Sequence, residues 1–206
     1  MSVCLLCDQT LESSIGWQEL IGIKKTINLC NDCSKQFERA DIIEEGETID
    51  KITSLYTYNE AMREYLHQYK FLQDIALAHV FAHDLKNVLN EKEAIIVPIP
   101  MHPAKKVERT FAHVDELLKA ANIPFAHLLE KVSTEVMGEK SKEERLAMKP
   151  LFKIKPGIEL NNQHYVLIDD IYTTGTTLNQ AAALLKEAGA KKVEAVTLIR
   201  AETMNQ

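Results

Sequence analysis

The sequence predicts an α/β protein, a parallel sheet with helices on both faces, preceded by a small module built on four cysteines. Two apolar runs, AIIVPIP at 94–100 and YVLID at 165–169, are too short and too rich in β-branched residues for helices, and read as strands buried on both faces. Helical patterns stand between these runs and the other strand patterns, the order that parallel crossover connections produce. All four cysteines fall within the first 33 residues, ahead of that alternation.

In chain order, the cysteines come first. Cys4 and Cys7, then Cys30 and Cys33, form two CxxC pairs with 22 residues between them. The start, MSVCLLCDQT, lacks the basic leader and apolar core of a secretion signal, so the chain is expected to be cytoplasmic, with thiols or metal ligands in place of disulfides. A redox CxxC is the rival reading, but neither pair sits between a clear strand and a helix. Two tight turns, each presenting two thiolates, complete a closed tetrahedral zinc site suited to structure or docking and not to catalysis. Trp17, Leu20, Ile21 and Ile23 would give this knuckle its apolar support. An acidic stretch at 38–47 follows, and the boundary is placed there: 1–45 as zinc-binding module, 46–206 as main domain.

Residues 49–58 alternate as a strand, and Asn59 then caps a helical stretch to 70. A second helical pattern runs over 72–89. After the strand 94–100 comes a loop, MHPAKKVERTF, then a helix over 112–121 and a short apolar piece at 125–132. The polar stretch 133–149 reads as a mobile loop. The finish is regular, with a strand at 164–169, a helix at 176–188 stopped by Gly189, and a strand at 192–199.

The chain has 206 residues, 46% hydrophobic and 26% charged, with a net charge of −6. No run approaches the roughly 20 apolar residues of a membrane span. An acidic balance argues against a surface that coats nucleic acid throughout, yet two basic islands stand out, net +2 over 102–113 and net +3 over 131–155. A polyanion held at a defined place suits that pattern. Neither a Walker loop nor a dinucleotide glycine fingerprint occurs.

The most specific segment is VLIDDIYTTGTTL at 166–178. A helix beginning near Thr176 presents free N–H groups and its positive dipole end, a natural phosphate seat. Gly175 permits close backbone approach, and Thr173, Thr174, Thr176 and Thr177 add hydroxyl donors. Asp169 and Asp170 close the strand beside that seat. Adjacent carboxylates repel, so they call for a polar partner: ribose hydroxyls, which donate charge-assisted hydrogen bonds, or a magnesium ion. In a parallel sheet Lys105, Lys106 and Arg109 reach the same carboxyl edge, where they would meet a pyrophosphate.

This segment resembles the phosphoribosyl pyrophosphate signature of type I phosphoribosyltransferases. The resemblance implies that Asp169 and Asp170 are the catalytic acids holding the ribose hydroxyls, that residues 173–177 bind the 5′-phosphate, and that magnesium takes part. A narrower likeness runs along the chain. Tyr69, Lys70, Asp74, Pro98, Pro100, His102, Arg109, Phe111, Ser141, Glu144 and Arg145, followed by the threonine loop, resemble the ComF family of late-competence proteins. That family implies a zinc module fused to a phosphoribosyltransferase domain, a role in handling single-stranded DNA during natural transformation, and a helicase-like ATPase as partner. The competing expectation is a nucleotide-salvage enzyme that joins a base to phosphoribosyl pyrophosphate, with the loop 133–149 closing over the site. A degenerate binder without turnover is a third. No acceptor pocket is legible after the threonine loop.

Overall fold

Strand β8 (His164–Tyr172) lies inside the main sheet of the structure, a computed structural model that describes residues 2–11, 29–90, 92–132 and 150–201. Tyr165, Val166, Leu167 and Ile168 are buried in succession, as a strand covered on both faces requires. On one side β5 (Ile95–Pro98) runs parallel to it, with Ile95 opposite Tyr165 and Pro98 opposite Ile168. On the other, β9 (Lys192–Arg200) is parallel, with Ile168 opposite Val196. Beyond β9 lies β4 (Lys51–Thr57), also parallel. The expected strand at 164–169 is longer than the pattern indicated, because Ile171 and Tyr172 stay paired with Ile199 and Arg200.

One strand departs from the all-parallel expectation. Residues read as an acidic tail form β3 (Arg39–Glu44), the antiparallel edge of the five-stranded sheet, ordered β3-β4-β9-β8-β5. Its side chains alternate between exposed and half-buried. A charged, half-covered edge strand carries little of the apolar signal by which an inner strand is read.

Helices cover both faces. On one, α2 (Glu60–Lys70), a 3-10 helix (Ile75–His79), α3 (Ala82–Leu89) and α5 (His113–Ala120) bury Met62, Tyr65, Leu77, Phe81, Leu85 and Leu117 against the sheet. On the other, α6 (Thr176–Glu187) and the hairpin of β6 (Leu129–Lys131) with β7 (Phe152–Ile154) pack on Val97 and Leu167. Asn59 caps α2 as expected, its side chain accepting from the Met62 N–H at 3.0 Å.

Two local expectations are corrected. The pattern 72–89 is two helices, because Phe81 leaves helical geometry to lie among Phe37, Tyr56 and Tyr65, with ring centroids 4.8–5.0 Å away. The supposed loop after β5 contains α4 (Pro103–Arg109), which opens on a proline whose fixed φ suits a first helical turn.

At the N-terminus, β1 (Ser2–Val3) and β2 (Thr10–Leu11) form a hairpin and α1 (Asn31–Ser34) follows. Leu5, Leu6 and Leu29 pack against the main core. Trp17, Leu20, Ile21 and Ile23, the loop 133–149, and with it Ser141, Glu144 and Arg145, lie outside the described residues. Among the described residues no helix is long and apolar enough to cross a membrane.

Candidate functional site

Between β8 and α6 the chain turns through Thr173, Thr174 and Gly175. Gly175 caps the helix at φ 72°, and its carbonyl accepts from the Asn179 N–H at 2.8 Å. The N–H groups of the first helical turn have no carbonyl partner within the helix and point towards the loop. The hydroxyls of Thr174 and Thr176 share a hydrogen bond of 2.9 Å. Thr173 and Thr174 are exposed, and Thr176 and Thr177 are half-buried. The recess behind them, lined by Asp169, Tyr172, Thr173, Thr176 and Thr177, measures about 20 Å³, room for little more than one water-sized group. A phosphate here would lie on the solvent side of the loop, against the exposed hydroxyls.

Gly175 is tightly bounded. A Cβ at this position would stand 2.2 Å from the Tyr172 hydroxyl, and the positive φ is unfavourable for any L side chain. Gly175→Ala is therefore expected to cost at least about 1 kcal/mol, a fall in Tm of about 2–4 °C or more for a chain of this size, readable by thermal denaturation.

The two acids differ in where they point, as neighbours in a strand do. Asp169 faces the threonine recess. Asp170 is buried and turned towards α2 and α5, where its Oδ2 is in contact with Lys70 Nζ and lies 3.3 Å from His113 Nε2. The ends of those helices are pinned to each other by Tyr69, whose hydroxyl donates to the His113 carbonyl at 2.6 Å. Asp169 Oδ1 in turn accepts from the Asp170 N–H at 2.9 Å.

Burial dominates the electrostatics. It pushes the Asp169 carboxyl up to about 7, against the pull of Lys70 and Lys131. It lowers the Lys70 ammonium to about 8, with Arg109 and Lys105 acting in the same direction and Asp169 opposing. His113 falls to about 2 through burial and then through Lys70, Arg109 and Lys105, so the imidazole is neutral at physiological pH.

The cations predicted from the basic island divide between the two sides of α4. Lys105 and Arg109, one helical turn apart, share a side, and their charges reach Lys70 and His113. The Arg109 guanidinium lies 5.4 Å from the centre of the exposed Phe71 ring. Hydrogen bonds from Gln73 to the Glu108 carbonyl at 3.4 Å and from Thr110 to Gln73 at 3.1 Å hold the end of α4 in place. Lys106 instead lines a cavity of about 320 Å³ with His113, His127, Lys131 and Lys155. His113 and Lys131 connect this cavity to the acid pair. The predicted residues thus share one edge of the sheet, but Lys70, His113 and Lys131 were not recognised as members. In the sequence Lys70 stands out only through the ComF-like motif and Lys131 only as the start of the second basic island, and His113 does not stand out.

The four cysteines form a second cluster. Cys4, Cys7, Cys30 and Cys33 bring one sulfur each within 4.8 Å of all the others. The β1–β2 hairpin carries the first pair, its turn closed by Cys4 N–H to Gln9 and Asp8 N–H to Cys4. Cys30 caps α1, accepting from the Cys33 N–H at 3.4 Å. Burial and then the neighbouring sulfurs hold the Cys33 thiol well above its ordinary range. Sulfurs packed this closely require a cation before all four can ionise, and the donor set and spacing suit zinc. Magnesium fits the other site differently. Asp169 offers a hard oxygen beside the threonine loop, and that ion usually keeps several waters and takes only one or two carboxylates from a protein.

A family described as phosphoribosyl transferase domain matches residues 62–204. A competence protein ComFC of Streptococcus pneumoniae is 34% identical, covering 96% of this chain and 99% of that one. A competence protein ComFC of Bacillus subtilis is 28% identical, covering 96% and 95%. Among solved structures, a hypoxanthine phosphoribosyltransferase of Staphylococcus aureus superposes with a TM-score of 0.39 at 18% identity, covering 63% of this chain and 74% of that one.

Proposed function

The chain belongs to the ComFC family and carries its phosphoribosyl transferase domain, and from that premise we propose that it binds phosphoribosyl pyrophosphate with magnesium and acts in natural competence. The observation that carries the reading is the placement of Asp169 beside the threonine loop and the α6 N-terminus, on the edge that also holds the cations of α4. Asp169 accepts the ribose hydroxyls. The N–H groups and threonine hydroxyls take the 5′-phosphate, whose charge the helix dipole favours. Lys105 and Arg109 from one side of α4 and Lys106 from the cavity on the other supply the charge for the pyrophosphate, with Lys131 at the near wall of that cavity. Magnesium, when bound, neutralises charge on the pyrophosphate. No protein nucleophile is required, since positioning and charge stabilisation suffice for a carbon that gains positive character as pyrophosphate departs.

In competence the polyanion is single-stranded DNA. An exposed aromatic ring beneath a guanidinium, Phe71 under Arg109, with Lys105 on the same side of α4, is a combination suited to stacking a base and following a phosphate backbone. The zinc module, small and at one end of the chain, would dock the helicase-like ATPase. A second reading, a salvage transferase acting on a free base, is favoured by the cavity of about 320 Å³ beside the acids, large enough for a small planar molecule.

Thermal unfolding with ligand tests these readings. Phosphoribosyl pyrophosphate with magnesium is expected to raise Tm more than ribose 5-phosphate or pyrophosphate alone, since it engages both subsites. An oligonucleotide that competes with it, with no pyrophosphate released on adding bases, supports the competence role. Release of pyrophosphate with one base supports salvage. No shift with any of the three phosphate ligands refutes both.

A further inference from the structure

We propose that Lys70 is the resident cation of the acid pair, seated where a divalent ion would otherwise be held by His113, Asp169 and Asp170. These three residues each offer a ligand atom within 4.8 Å of the others. Two carboxylates and an imidazole form a donor set that suits manganese and similar ions. The side chains of Lys70 and Asp170 are only 11% and 7% exposed, so water does not neutralise the carboxylate. Lys70 Nζ meets Asp170 Oδ2, the oxygen that also lies 3.3 Å from His113 Nε2. Among the described residues no other lysine or arginine forms an ion pair with either acid. Lys70 is the last residue of α2, where a helix C-terminus favours a cation.

The charge of Asp170 is thereby engaged inward, and Asp169 is left to face an incoming ligand. Magnesium enters with the pyrophosphate-bearing ligand and is not held beforehand by the protein. Lys70 is a positioning residue: it fixes one acid so that the other is free. This consequence for the ligand rests on the ribose-binding reading above, but the cation assignment does not.

The test uses the zinc-loaded full chain without phosphoribosyl pyrophosphate, titrated with Mn²⁺ while free ion is followed by electron paramagnetic resonance. Wild type is expected to show no saturable site at the acids. Lys70→Ala is expected to gain one Mn²⁺ per chain, at least about tenfold tighter than any wild-type binding, a ratio equivalent to 1.4 kcal/mol. Adding Asp170→Asn to that variant should remove the new site. Because truncating a buried pair is destabilising, Lys70→Gln, which keeps a polar chain of similar length, serves as a second variant with circular dichroism to confirm folding. One Mn²⁺ per wild-type chain, lost in Asp169→Asn, overturns the proposal. So does a folded Lys70 variant that gains no ion. No sugar phosphate is used, so failure to bind phosphoribosyl pyrophosphate leaves either result intact.

Discussion

Asp169→Asn is expected to weaken phosphoribosyl pyrophosphate binding by at least about 100-fold, because two ribose hydroxyls each lose a charge-assisted bond of about 1.5–3 kcal/mol. The fold should gain, not lose, from the same change. Burial raises this carboxyl to about 7, well above the ordinary value near 4. Between those values the folded chain holds a proton that the unfolded chain has released, so stability falls as pH rises through that window. Above about pH 7 the buried charge is a cost, and asparagine removes it. Tm at pH 8 should therefore rise or stay level in Asp169→Asn. Asp170→Asn is expected to do the reverse, since it leaves Lys70 buried without its partner, a loss of about 3–5 kcal/mol. In wild type, affinity for the ligand should decline as pH is lowered from 8 to 6 and Asp169 takes up its proton. Calorimetry at three pH values, with thermal melts of both variants, checks the set. A rise in affinity towards pH 6, or equal loss of Tm in both variants, would show that the two acids are not divided as described.

Removing zinc should have the second large effect, centred on one end of the molecule. Two-residue strands and a four-residue helix have too few hydrogen bonds to persist alone. Among the described residues the buried cluster there is Cys4, Leu11 and Cys33. A structural zinc in such a setting contributes about 10–16 kcal/mol of apparent folding free energy. Chelation, or Cys4→Ser, is expected to make amides of 2–11 and 29–34 exchange freely with solvent while those of β8 and β9 remain protected. Leu5, Leu6 and Leu29 also leave the main core, so its Tm should drop by several degrees without collapse. Hydrogen exchange followed by mass spectrometry reads both effects, and unchanged protection of 2–11 after chelation would exclude a structural zinc.

Much of this architecture was legible because its signals are local. Asn59 before a helix, β-branched runs for β5 and β8, Gly175 between threonine pairs and Gly189 after α6 each act within a few residues of themselves. The break at Phe81 and strand β3, which the sequence pattern misses, depend on distant partners. Phe81 breaks a helical pattern because Phe37 and Tyr56 wait for it across the core, and β3 exists only by pairing with β4. The site divides in the same way. The threonine loop and the acids form one uninterrupted segment, whereas Lys70 and His113 reach Asp170 from separations of 100 and 57 residues. A lysine ending a helix looks in sequence like any solvated cation, and only the packing of α2 against β8 distinguishes it.

The most direct measurement is a calorimetric titration of phosphoribosyl pyrophosphate with magnesium into the zinc-loaded wild-type chain. One saturable site per chain, lost in Asp169→Asn, is the expected result. Absence of heat, together with an unchanged melting temperature in excess ligand, would contradict it and show that the threonine loop, the acids and the cations of α4 do not together form a phosphoribosyl site.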